Sequence, residues 1–89
     1  MASKRVTYST RGTCSSLIEV EIDENGILRD VQFTGGCNGN LQGICSLVKG
    51  MNVEDVKAKL RGIRCGYKNT SCPDQLVCAI EKAQKEFLL

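Results

Sequence analysis

Histidine and tryptophan are absent from these 89 residues, and proline occurs once, as Pro73. Without an imidazole, any tetrahedral zinc site must be all-sulfur or include an oxygen ligand. Two tyrosines and two phenylalanines are the only rings. They leave the core to Val, Ile and Leu, and they leave a nucleic-acid surface almost without stacking platforms. No segment approaches the roughly 18 apolar residues needed to cross a bilayer. The opening MASKRVTYSTRG has no apolar run of the kind a signal peptide requires. The expectation is therefore a cytoplasmic chain with no membrane partner. No C-x-x-C pair occurs, and a net charge of +2 is too small to name a partner.

Against these absences stand six cysteines. In a reducing compartment stable disulfides are rare, and clustered cysteines more often serve metal or redox chemistry. The length matters too. A chain this short buries only about 60–65% of its unfolded surface, so a cross-link or a partner would strengthen a thin core. A homodimer is one expectation for its assembly.

The hydropathy pattern sets out a single domain over residues 1–89, with no repeat, linker or low-complexity segment. In SLIEVEI, Ile18, Val20 and Ile22 alternate with Glu19 and Glu21, the period of a half-buried strand over Ser16–Ile22. Asp23-Glu24-Asn25-Gly26 follows, and Asn-Gly marks a hairpin because both residues tolerate positive φ. A second strand over 27–34 places Ile27, Val31 and Phe33 on one face, with Arg29 an imperfect member. Arg5–Ser9 supplies an earlier strand. The period then changes. Leu41, Ile44, Cys45 and Val48 share one face of a helix stopped by Gly50. Asn52 caps a second helix, with Glu54 and Asp55 in its first turn and Val53, Val56 and Leu60 inward. Residues 62–71 read as a loop. Pro73 suits a first helical turn, where its missing N–H is no loss, and Leu76, Ile80, Ala83 and Phe87 form the stripe of a last helix. The order βββααα predicts an α+β domain: a three-stranded antiparallel meander with three helices packed on one face.

Four cysteines sit at the ends of these elements: Cys14 before the second strand, Cys37 in the Gly-rich turn, Cys65 in the last loop and Cys72 where the last helix starts. Ends of this kind can share one edge of a sheet. Helix starts also favour a thiolate, through unpaired N–H groups and the positive dipole end. Cys45, on the apolar stripe, reads as a small core hydrophobe, and Cys78, in line with Lys82 and Lys85, reads as incidental. Lys57, Lys59, Arg61, Arg64 and Lys68 form a basic run with no acid among them. It reads either as a field offsetting clustered thiolates or as a solvated face.

TSCPDQL at Thr70–Leu76, together with GGCNGN, IRCG and GTCS, resembles the TSCPD domain family in its stand-alone, four-cysteine branch. The resemblance runs from about Thr7 to Ala83, and the recurring cysteines of that branch correspond to Cys14, Cys37, Cys65 and Cys72. It implies a metal-binding role for those four. Related domains lie at the C-terminal end of adenosylcobalamin-dependent ribonucleotide reductases, and stand-alone members often carry a ribonucleoside-diphosphate reductase label. Such enzymes need a roughly 10-stranded barrel for cofactor, nucleotide and radical cysteine, more than 89 residues can build. The resemblance thus implies an accessory module, with a ribonucleotide reductase or a thioredoxin-like protein as partner. The order of elements is also similar to the U-type iron–sulfur scaffolds. Those place a cysteine before a strand, a D-E-N-G hairpin, Gly-Cys before a helix, a Val-Lys-Gly helix end and a final cysteine opening the last helix. Here Ser15-Ser16 stand where the scaffolds carry Gly-Asp, Ser71 stands where they carry histidine, and Cys65 is an added thiol.

The resulting expectation is a metal domain in which Cys14, Cys37, Cys65 and Cys72 hold zinc, or alternatively an iron–sulfur cluster. Asn38, Asn40 and Arg64 would flank the site. Two other readings stay open. In one, a reductase partner cycles Cys65 and Cys72 between dithiol and disulfide; in the other, the GGCNGN amides bind a nucleotide's phosphate, although no Walker lysine follows them.

Overall fold

The computed structural model describes residues 3–10, 15–35, 38–64, 66 and 70–87. Its elements are β1 (Ser3–Ser9), β2 (Ser15–Asp23), β3 (Leu28–Gly35), α1 (Asn38–Val48), α2 (Val53–Leu60) and α3 (Cys72–Phe87). The three strands form one antiparallel sheet in the order β1-β2-β3, as the meander predicted. Within it, Val6, Val20 and Val31 line up across the strands. Together with Ile18, Ile22 and Leu28 they form a buried face. The helices cover this face: α1 lies against β3, α3 lies against β1 and β2, and α2 packs on α3.

The opposite face is charged. Arg5 sits in register with Glu21, which is in register with Asp30. The Arg5 guanidinium reaches Asp30 at 2.7 Å, Glu21 at 3.3 Å and Glu19 at 3.4 Å. This cross-strand arrangement is why Glu19 and Glu21 alternate with the buried residues of β2.

Two irregularities change what the pattern of β3 means. Ile22 pairs with Leu28 and Glu21 with Asp30, so Arg29 is an extra residue, a β-bulge. The bulge shifts the parity of the strand. The inner face is therefore Leu28, Val31 and Phe33 rather than Ile27, Val31 and Phe33. Arg29 points outward and donates from Nε to Asp23 Oδ2 at 2.7 Å. At the other end Ser15 pairs with Gly35 and Leu17 with Thr34, leaving Ser16 as the extra residue of β2.

The hairpin forms where Asn25-Gly26 announces it, but the tight turn is centred one residue earlier. Gly26 N–H donates to the Asp23 carbonyl at 3.1 Å, and Gly26 takes φ +78°, a conformation glycine adopts without strain. Asp23 organises this turn from a site only 2% exposed, where its carboxylate accepts N–H bonds from Asn25 and Ile27 at 2.9 and 3.0 Å. The hairpin also anchors the helices. Gly26 C=O accepts from Val53 N–H at 2.9 Å, and Leu28 N–H donates to Met51 C=O at 2.9 Å. Asn52 caps α2, its Oδ1 accepting from Glu54 N–H at 2.8 Å.

The last helix is buried more broadly than a four-residue stripe. Leu76, Val77, Ala79, Ile80 and Ala83 are all closed to solvent. Ile80 lies at its centre and belongs to the same cluster as the inner face of the sheet. Ile80→Ala should lower unfolding free energy by about 2–5 kcal/mol, read as a lower urea midpoint at unchanged slope. A loss under about 1 kcal/mol would mean that α3 does not hold the sheet in this way.

The buried turn sets a pH dependence. The Ile27 N–H, then the Asn25 N–H and Arg29, hold the Asp23 carboxyl below its ordinary value against the opposing effect of burial. Asp30 is held down in the same way by Arg5, then by Lys49. A carboxylate lowered in the folded state stabilises fully above its unfolded value of about 3.9 and loses that contribution as pH falls through the folded value. The urea midpoint should therefore drop below about pH 4. Asp23→Asn should flatten part of this drop, and an identical profile in the variant would remove Asp23 as its source.

Candidate functional site

The course of the helices decides which element ends meet. Ser15, at the start of β2, is in register with Gly35, at the end of β3, and Thr10 N–H closes on Ser16 C=O at 3.1 Å. The first helix leaves this end at Asn38. It finishes at the hairpin end, where Gly50 N–H donates to Leu28 C=O at 2.8 Å. The second helix starts at the hairpin end, on Gly26, and runs back. It is antiparallel to α3: Lys57 Nζ meets Gln84 Oε1 at 2.7 Å, Arg61 meets Glu81 at 2.7 Å and Gly62 N–H meets Asp74 at 2.8 Å. The N-terminus of α3 consequently points away from the hairpin. The start of β2, the end of β3, the first turns of α1 and α3 and the end of α2 thus belong to one side of the molecule.

These are the described residues next to the four predicted ligands. Cys14 precedes Ser15, Cys37 falls between Gly35 and Asn38, and Cys65 falls between Arg64 and Gly66. All three cysteines lie outside the described residues. Cys72 is described. It is the first residue of α3 and 7% exposed. Among the described residues no three Cys, Asp or Glu side chains are grouped to hold a metal. Two helix N-termini share this side, each presenting the positive end of its dipole. The first turn of α1 contains no acid, and that of α3 contains only Asp74.

Most of the TSCPD stretch is occupied with holding α3 in place. Ser71 is the N-cap: its Oγ accepts from Asp74 N–H at 3.2 Å, and its carbonyl accepts from Gln75 N–H at 2.8 Å. The same hydroxyl donates to Ile63 C=O at 2.7 Å. Asp74 accepts from the Thr70 hydroxyl at 2.5 Å and from Gly62 N–H at 2.8 Å. Those two donors, Thr70 first, keep its carboxyl below the usual range. Gln75 Nε2 completes the set by donating to Thr70 Oγ1 at 3.0 Å. Ser71 thus commits its hydroxyl to backbone. This polar group was missed in the sequence, although Ser71-x-x-Asp74 is a recognisable capping pattern.

The remaining thiols follow their positions. Cys45 packs against the core with Ile44, and burial pushes its thiol up, away from the reactive thiolate. Cys78 is partly buried on α3. The basic run is less free than its sequence suggests. Lys57 is paired with Glu54 at 3.1 Å and Arg61 with Glu81, while Lys59 and Arg64 are exposed; Lys68 lies outside the described residues. The acid that pairs with Arg61 comes from α3, and the one that pairs with Lys57 from the start of α2.

No described helix is long and apolar enough to cross a membrane. Comparison with curated proteins and with solved structures finds no match to the chain. The sequence model of the TSCPD domain matches residues 2–84, nearly the whole length, and this match includes every strand and the helix start that carries Thr70–Asp74. The chain belongs to the TSCPD domain family.

Proposed function

We propose that this protein is a small metal-binding domain in which Cys14, Cys37, Cys65 and Cys72 hold one zinc ion, with an iron–sulfur cluster as the alternative occupant. One observation carries the reading. The described neighbours of all four cysteines (Ser15, Gly35 with Asn38, Arg64 with Gly66, and Cys72 itself) belong to the side of the fold opposite the hairpin. The donor chemistry suits the group. With no histidine in the chain, four thiolates make an all-sulfur site of the kind tetrahedral zinc accepts. Two helix N-termini on that side favour the anionic form of the ligands.

The role that follows is structural. The hairpin side is closed by backbone hydrogen bonds to the 50–53 segment, whereas the cysteine side gathers the ends of several segments. An ion bound there would join the start of β2, the β3–α1 turn, the α2–α3 loop and the start of α3. Structural zinc contributes on the order of 10 kcal/mol in small domains, comparable with the whole stability of a fold this size. In ribonucleotide reduction such a domain would act as an accessory module.

The test is metal content after anaerobic purification without a chelating tag. We expect about one zinc per chain, lost on replacing any of Cys14, Cys37, Cys65 or Cys72 by Ser and retained on replacing Cys45 or Cys78. Chelation should lower the melting temperature. A metal-free protein whose stability ignores chelators would refute the reading. If thioredoxin also reduced a Cys65–Cys72 disulfide in it, the chain would instead be a thiol redox partner.

A further inference from the structure

The first helix carries no charged residue anywhere from Asn38 to Val48. Leu47 stands out of it 77% exposed, more than any other large apolar side chain among the described residues. Beside Leu47 a notch of about 250 Å³ opens between α1 and α2, lined by Leu47 itself and by Ile44, Met51, Val56 and Leu60. Among the described residues Lys59 is the only polar side chain on its wall. Small-ligand clefts hold roughly 300–1,000 Å³ and several polar groups that orient the ligand. This smaller, apolar notch suits an aliphatic side chain instead. Gly43, one turn before Leu47, keeps the face low, since a Cβ there would meet nothing within 4 Å. A charge-free apolar centre with a polar rim is the composition of a protein–protein contact.

The rim narrows the choice of protein. Lys57 and Arg61 face α3, where they meet Gln84 and Glu81. Asp55 and Lys59, two positions to either side of Lys57, therefore fall on the side of α2 turned away from α3, with the notch. Both are exposed. Among the described residues neither side chain has an ionic or hydrogen-bonded partner, whereas Glu54, Lys57 and Arg61 of the same segment all do. One face thus presents a knob, a hole, a free acid and a free cation. A twofold axis makes such a face complementary to itself. Two α2 helices running antiparallel across that axis, level at position 57, bring Asp55 of each copy opposite Lys59 of the other.

We propose that α1 and α2 form the self-association surface of a symmetric homodimer. Leu47 of each copy fills the notch between α1 and α2 of the other, and Asp55 pairs with Lys59 across the axis. No metal enters this pairing.

Sedimentation equilibrium of the full-length protein should give about twice the 9.7 kDa of one chain, with a single dissociation constant on dilution. Leu47→Asp should raise that constant by about thirtyfold or more, the loss expected of a central anchor. Because Leu47 is exposed in the single chain, the variant should keep the far-ultraviolet circular dichroism of the wild type. Asp55→Lys and Lys59→Asp should each weaken the dimer by about tenfold at low salt, since each sets like charges together at two places. Mixed in equal amounts, these two variants should form a heterodimer within about threefold of wild-type affinity, because every charge then meets its opposite. A wild type that stays monomeric at every concentration leaves the face to a different protein and overturns the homodimer, as does a dimer that survives Leu47→Asp. A mixture no tighter than either charge variant alone overturns the antiparallel pairing.

Discussion

The inner face of the meander is broad for so short a chain. Val6, Ile18, Val20, Ile22, Leu28 and Val31 all need cover, and three helices of 11, 8 and 16 residues have to supply it. Most of the cover comes from α3, whose buried side takes in Leu76, Val77, Ala79, Ile80 and Ala83. A helix buried over so wide an arc has little freedom to rotate or slide. Its orientation therefore dictates where its first residue lies, and through Lys57–Gln84, Arg61–Glu81 and Gly62–Asp74 it aligns α2 as well. The placement of residues 61–63 and 70–71 follows from that alignment.

The two sides of the sheet are held by different chemistry. At the hairpin, backbone groups satisfy one another: Gly26 with Val53, Leu28 with Gly50 and Met51, and Asp23 with its own turn. At the other side a polar clamp of Thr70, Ser71, Asp74 and Gln75 holds the start of α3 against the end of α2. On the proposed reading, a metal ion would complete that side by joining the strand ends to the helix starts. A domain with a thin core benefits from such a tie, because each cross-link removes conformations from the unfolded chain.

Much of this was legible residue by residue. Alternation in β2, the stop at Gly50, the cap at Asn52 and the proline in the first turn of α3 are signals between neighbours, and the structure follows them. The misreadings have definite causes. Arg29 looked like a flaw in alternation because a bulge inserts one residue and reverses the parity, which the pattern of one strand cannot show without its partner's register. The run at 57–68 showed no acid of its own because the partner of Arg61 is Glu81, on a different helix. The clamp is hard to read because Thr70, Ser71, Asp74 and Gln75 bond to one another and to the backbone of residues 62–63, across a loop, rather than to sequence neighbours alone.

By itself the sequence determined the kinds of elements, their order, their caps and the family, since each depends on contacts within a few residues or on a contiguous motif. It also marked which thiols stand at element ends and which lie on an apolar stripe. Only the tertiary structure decided that those ends share one side of the molecule. That outcome depends on the antiparallel packing of α2 on α3 and on the return of α1 to the hairpin, which arise from burying side chains distant in sequence. Local periodicity specifies which face of an element is apolar, but it leaves open the direction in which that element crosses its neighbour.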